Sequence, residues 1–216
     1  MKRHLWLKGL LLLFSMLLLQ ACGKPKKEEP CGFVMNSLGQ RVSWSDGKTI
    51  YLYVHDSVPV ELEPGITAAV AEINRSLKKT RIEIIKGLQG KNQPAQDGYS
   101  VIYFKNEWDA NRPDEQARTT IYWKGTHIYE ADIMVNGKNF QFFVDPSELQ
   151  KSGNYRAIHF KSLMLHELGH VLGLAHRHEE NTVMAETLLG GEIRDWLTDS
   201  DKKSLRCEYQ VNQTGV

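Results

Sequence analysis

Residues 157–176 read AIHFKSLMLHELGHVLGLAH, and the second half of that stretch sets three imidazoles and one carboxylate at fixed spacing. Ala157 to Leu172 is apolar on most sides, which predicts a long helix buried at the centre of the fold. On such a helix His166 and His170 lie four residues apart and share a face, where they can hold one metal ion. Gly173 follows, and glycine most readily takes the left-handed turn that ends a helix. The reversed chain can then bring His176 back to the same ion. Three neutral imidazoles with one position left open is the donor set of a catalytic zinc site, where the ion polarises a carbonyl and acidifies a water. Glu167, beside the first ligand, is placed to take a proton from that water and pass it to a leaving amine. Satisfied core histidines would explain one imidazole, not three at this spacing with a glycine between them.

His166, Glu167, His170, Gly173 and His176 together match H-E-x-x-H-x-x-G-x-x-H, and the segment resembles the signature of the metzincin zinc proteases. Those proteins also carry a methionine in a tight turn beneath the zinc. Thr182-Val183-Met184-Ala185 places Met184 eight residues beyond His176, similar to the short spacing of the matrixin branch. The resemblance implies a zincin-like α+β domain: a mixed, twisted sheet packed by a buried zinc-binding helix, with further helices towards each end. It implies a zinc endopeptidase with one catalytic Zn2+, acting on protein or peptide substrates that lie extended and antiparallel to an edge strand. Arg118 to Trp123 is the best match to that strand.

The chain departs from the pattern in places. Vertebrate-type matrixins usually have Ser after the third His, where this chain has Arg177. They also carry a structural zinc and calcium, held by loops rich in His and Asp. Between Tyr99 and Asp145 stands only His127, with no clustered Asp run, so neither ion finds support in the sequence. No activation pro-segment is recognisable, and the expectation is an enzyme made active or restrained by another protein. The rival class is an envelope lipoprotein that keeps the fold as a binding or structural module, for which Glu167 would be dispensable.

Outward from the zinc motif, Thr49–Val54, Arg81–Ile85, Tyr99–Phe104, Thr119–Trp123 and Ile128–Val135 read as strands, with Lys124-Gly125-Thr126 as a hairpin turn. Ile66, Ala69, Val70, Ile73 and Leu77 recur at helical spacing over about 65–78. Thr198-x-x-Asp201 resembles a capping box and opens a last helix to about Tyr209. This order is that of an α+β domain with one mixed sheet. Phe140 to Val144 is an apolar run without a clear partner, and 86–98 and 107–116 read as loops. Of the other histidines, His159 lies two turns before His166, His178 is too close to His176 to be more than an alternate ligand, and His55 and His127 read as surface or strand residues. The run Arg177–Glu180 reads as a solvated loop.

The chain opens with Lys2, Arg3 and Lys8, followed by an apolar run from Leu10 to Leu19. Ten helical residues rise about 15 Å, half a bilayer core, which suits a signal peptide rather than a span. Leu19-Gln20-Ala21-Cys22 resembles the lipobox of bacterial lipoproteins, with Gln20 an unusual residue there. The resemblance implies a signal peptide at 1–21, a lipidated Cys22, a tether over 22–31, a domain over 32–210 and a tail over 211–216. It places the protein in the bacterial cell envelope, and Gly23 after the cysteine points to the outer membrane. Cys31 and Cys207 remain, and in an exported domain they suggest a disulfide joining the two ends. Two unpaired thiols are the alternative, and Pro30-Cys31-Gly32 also bears a faint likeness to the cysteine switch that blocks zinc in some metalloproteases. The 216 residues, 27 Lys+Arg against 26 Asp+Glu and 41% apolar content suit one globular domain, exclude a highly charged disordered chain and argue against nucleic acid as a partner. Nothing in the chain calls for an oligomer.

Overall fold

The computed structural model describes residues 30–179 and 181–212. The expected signal peptide, Cys22 and the rest of the expected tether before Pro30 lie outside the described residues. Five strands form the main sheet: β1 (Thr49–His55), β2 (Arg81–Leu88), β3 (Ser100–Lys105), β4 (Ala117–Lys124) and β5 (His127–Asn136). Their spatial order is β2-β1-β3-β5-β4. β1 pairs parallel with β2 and β3, β3 pairs parallel with β5, and β4 runs antiparallel to β5 at the sheet's edge. Period-two alternation explains which face packs: Ile50, Leu52 and Val54 of β1 are buried while Tyr51 faces solvent.

Helix α1 (Glu63–Ser76) connects β1 to β2 and buries Ile66, Ala69, Val70 and Ile73. A short pair, β6 (Phe142–Phe143) and β7 (Ile158–His159), flanks α2 (Ser147–Ser152). Helix α3 (Phe160–Val171) carries the zinc motif and is buried on most sides, with Phe160, Met164, Leu165 and Leu168 fully enclosed. Helix α4 (Asp199–Leu205) closes the domain, and the Thr198–Asp201 capping box is formed in both directions. The carbonyls left free where α3 ends accept from side chains: Val171 O from Trp44 Nε1 at 2.8 Å and Leu172 O from Tyr209 Oη at 2.7 Å. These bonds fix the end of the helix from which the chain turns towards His176.

Several boundaries differ from the sequence reading for local reasons. α3 begins at Phe160 rather than Ala157, because Ile158 and His159 pair with Phe142 and Phe143, which gives the apolar run Phe140–Val144 its partner. α4 stops at Leu205 rather than near Tyr209; Tyr209 is turned in to bond α3 instead. The sequence reading assigned no element to the residues of α2. Its signal was present in Asp145-x-x-Glu148, since Asp145 N donates to Glu148 Oε1 and Ser147 N to Asp145 Oδ1, and Gly153 ends it at φ +66. The domain also reaches past both expected limits. Val211, placed in the tail, is buried and bridges Leu77, and Asn212 N donates to Ser76 O at 2.7 Å. Cys31, placed in the tether, is bonded to Cys207, which excludes two free thiols and removes Cys31 as a zinc-blocking switch.

The outer face of the sheet holds a pair of buried carboxylates. Glu130 accepts from the backbone N–H groups of Asp97 and Gly98, so it pins the loop before β3. Asp132 Oδ1 accepts from Val101 N, while Oδ2 has no partner among the described residues. Burial pushes the Asp132 carboxyl up to about 7, helped by the charge of Glu130. The fold therefore keeps this proton after the unfolded chain has lost it. Stability from Asp132 is fully present below the usual carboxylate range, falls as pH rises from about 4 to 7, and is gone above that. Asp132→Asn is expected to gain on the parent across that window, by at most about 1.4 kcal/mol per pH unit, and to hold a constant difference above it. Urea unfolding of both chains at pH 5 and pH 8 reads this; an equal difference at the two pH values would contradict it.

Candidate metal and catalytic site

The three histidines of the motif converge. His170 Nε2 lies 3.0 Å from His166 Nε2, which lies 3.3 Å from His176 Nε2. Among the described residues these three form the one group of His, Cys, Asp or Glu whose ligand atoms all lie within 4.8 Å of one another. The far side of two rings is fixed by the backbone: His166 Nδ1 is 2.8 Å from Val183 O and His170 Nδ1 is 2.8 Å from Leu174 O. A carbonyl can only accept, so each Nδ1 carries the proton and each Nε2 keeps its lone pair. Burial pushes His166 down to about 3, with the neighbouring His170 adding to the effect, and burial lowers His176 too. Three neutral nitrogens facing one another repel unless a cation lies between them. A tetrahedral zinc with bonds near 2.05 Å sets its nitrogens about 3.3 Å apart, so the donor set, tautomers and spacing fit that ion.

The turn that delivers His176 depends on Gly173. Its φ is +97, and a Cβ there would lie 2.2 Å from Val42 O, a backbone atom that cannot step aside. Gly173 O accepts from Val34 N and Ala175 N donates to Gly32 O, so the N-terminal segment clasps the turn on both sides.

Glu167 is 3% exposed and sits on α3 beside β4. Its Oε2 accepts from Thr119 Oγ1 at 2.6 Å. Burial raises its carboxyl above the usual range, while the hydrogen bond from the Thr119 hydroxyl opposes that rise. Thr119 was read only as a strand residue. Its signal was a polar side chain in register with Ala117 and Ile121, on the face of β4 that meets α3. A cleft of about 550 Å³ runs along the β4 edge past His166, Glu167, His170 and His176. Ala117, Thr119 and Ile121 line one wall, and Val183, Ala185 and Leu188 line the other.

Residues 93–210, more than half of the chain, match the family model described as Matrixin. The chain belongs to the matrixin family. No curated protein matches it. The match takes in β3 through α4 and therefore both walls of the cleft, while β1, α1 and β2 precede it.

In this matrixin Met184 lies under α3, 1% exposed, and Gly169 gives it room: a Cβ on Gly169 would sit 2.2 Å from Met184 Sδ. Gly169 filled a variable place in the motif, so spacing alone gave it no role. Gly169→Ala is expected to displace Met184 and destabilise the fold by about 1–3 kcal/mol through overpacking. Thermal unfolding checks this; pairing it with Met184→Ala should recover part of the loss.

The residues after His176 hold the turn rather than lying free. Arg177 N donates to Met184 O at 2.8 Å, and its guanidinium bonds Ser204 Oγ and Glu179 Oε1. Arg177 is half-buried and binds α4 through Ser204, while His178 and Glu179 are exposed, as a solvated loop requires, with Glu179 Oε2 accepting from Ser200 Oγ; Glu180 lies outside the described residues. Asp201 Oδ2 accepts from Val183 N at 3.2 Å, so the α4 capping box also holds the residue whose carbonyl orients His166. His159 is buried against Ser162, its Nδ1 2.7 Å from the hydroxyl, and burial lowers its pKa. His127 is exposed, with Thr126 Oγ1 at 3.1 Å from its Nδ1.

Proposed function

We propose that this matrixin is a zinc-dependent endopeptidase that cuts peptide bonds in extended protein segments. The observation that carries the reading is the convergence of three imidazole Nε2 atoms, with the Nδ1 protons of His166 and His170 committed to backbone carbonyls, next to a buried glutamate. His166, His170 and His176 would hold the ion, which when bound supplies a Lewis acid for the scissile carbonyl and an acidified water. Glu167 accepts the proton from that water and donates it to the departing amine. Thr119 holds one oxygen of the carboxylate and so orients the other. Gly173 and Met184 shape the site from the turn and from beneath. The free edge of β4 pairs antiparallel with the substrate main chain, which binds any sequence alike. The wall at Leu163, Val183 and Leu188 receives an apolar side chain. The same reading takes the protein as a monomer, anchored through lipid on Cys22 in a bacterial envelope, at the outer membrane.

Metal removal tests the activity. The chain from Gly23 onward is expected to hold one zinc and to cleave an unfolded protein. A chelator should reduce cleavage to background, and added zinc should restore it. A zinc-loaded chain that leaves an unbiased peptide library intact would overturn the reading.

A further inference from the structure

Among the described residues, one side chain hydrogen-bonds from one wall of the cleft to the other. Gln116 Nε2 donates to Leu188 O at 2.7 Å, across 72 residues of sequence. The cleft is lined on both sides of this bridge, by Asp114 and Glu115 beyond it and by Ala117 and Thr119 within it. Gln116 is half-buried, and its own carbonyl is fixed by Asn136 N at 2.9 Å, so the side chain leaves a rigid main chain.

The place of the bridge follows from strand geometry and rests on the endopeptidase reading above. Thr119 marks the level of the scissile bond, because its hydroxyl meets Glu167. A substrate antiparallel to β4 runs with its C-terminal half towards Ala117. Gln116 lies three residues further on, about 10 Å at 3.3 Å per residue. That is the level of the third substrate residue after the scissile bond. The Gln116 amide there occupies the Leu188 carbonyl, an acceptor that a substrate N–H on that wall would otherwise use.

We infer that Gln116 is a length-determining residue: its amide bridges the C-terminal half of the cleft, so that peptides with two residues after the scissile bond fit beneath it and longer ones must displace it. The partner it selects against is an extended chain that continues past the bridge. One neutral hydrogen bond corresponds to a factor of about five in an equilibrium, which sets the size of the preference.

The test uses the zinc-loaded parent, Gln116→Ala and Gln116→Glu. The glutamate keeps the volume but cannot donate to Leu188 O, so it reads the bridge even where the alanine chain fails to fold. Substrates share one sequence, carry an amidated C-terminus and end two or four residues after the cut. Matching fragments of two and four residues, beginning at the residue after the cut, are titrated by calorimetry. Both variants are expected to raise the long-to-short ratio about fivefold, in kcat/KM and in affinity. Cleavage with an unmoved ratio overturns the bridge and leaves the endopeptidase standing. A moved binding ratio with no cleavage by any chain supports the bridge and removes the endopeptidase. Neither binding nor cleavage at either length overturns both.

Discussion

Glu167→Ala is expected to keep one zinc per chain and to lower cleavage of an unfolded protein by about 10²–10⁴-fold. The zinc expectation follows from the donor set: the three Nε2 atoms and the carbonyls of Val183 and Leu174 that hold two of the rings are untouched by the change. The loss of cleavage follows from position. Glu167 neighbours His166 in sequence, is 3% exposed, and has one oxygen held by Thr119 at 2.6 Å. A buried carboxyl whose proton affinity is raised suits a group that must take a proton and give it back within one turnover. Glu167→Gln keeps the size and the contact with Thr119 but cannot accept the proton, so it should lose as much as the alanine. Zinc content and cleavage measured on the same samples separate the proposals. A protein that uses this fold only to bind would be indifferent to both substitutions.

The zinc motif was legible because its spacing is local. His166 and His170 meet through one helical turn, and Gly173 supplies the one reversal that His176 needs. Runs of β-branched and aromatic residues likewise exposed the five strands, since that signal lies within each strand's own residues. What stayed hidden depends on contacts between distant segments. Thr119 gains its role from Glu167, 48 residues away, and Gln116 from Leu188, 72 away. Gly169 looked free to vary until Met184 came to lie beneath it. Ile158 and His159 read as the start of a helix because the Phe142–Phe143 pair that draws them into a strand is remote in sequence. The capping box at Thr198 was visible as a pattern, but not the second task of Asp201, which is to hold Val183 and through it His166.

Breaking the Cys31–Cys207 disulfide is expected to lower stability by up to about 5 kcal/mol in the chain-entropy model, because the bridge closes a loop of sequence separation 176. The bond also bears on the site. Cys31 precedes Gly32, whose carbonyl accepts from Ala175 N at 2.7 Å, and Phe33 bridges Leu174. Ala175 is the residue before His176, so the segment that the disulfide anchors is the one that clasps the turn into His176. Cys207 in turn follows α4, and beside it Glu208 accepts from Ser43 Oγ at 2.9 Å and pairs with Arg41. Without the bridge these contacts still draw the ends together, which makes the chain-entropy figure an upper bound on the loss. The double variant Cys31→Ser, Cys207→Ser should therefore fold, unfold at a lower urea midpoint, and hold zinc more weakly than the parent. Reducing the parent should produce the same two changes, whereas reducing the variant should produce none. Equal urea midpoints for oxidised and reduced parent would show that the ends are held by the packing around Ala175 and Glu208 alone. A lower midpoint with unchanged zinc affinity would confine the disulfide to stability and leave His176 positioned by the Gly173 turn.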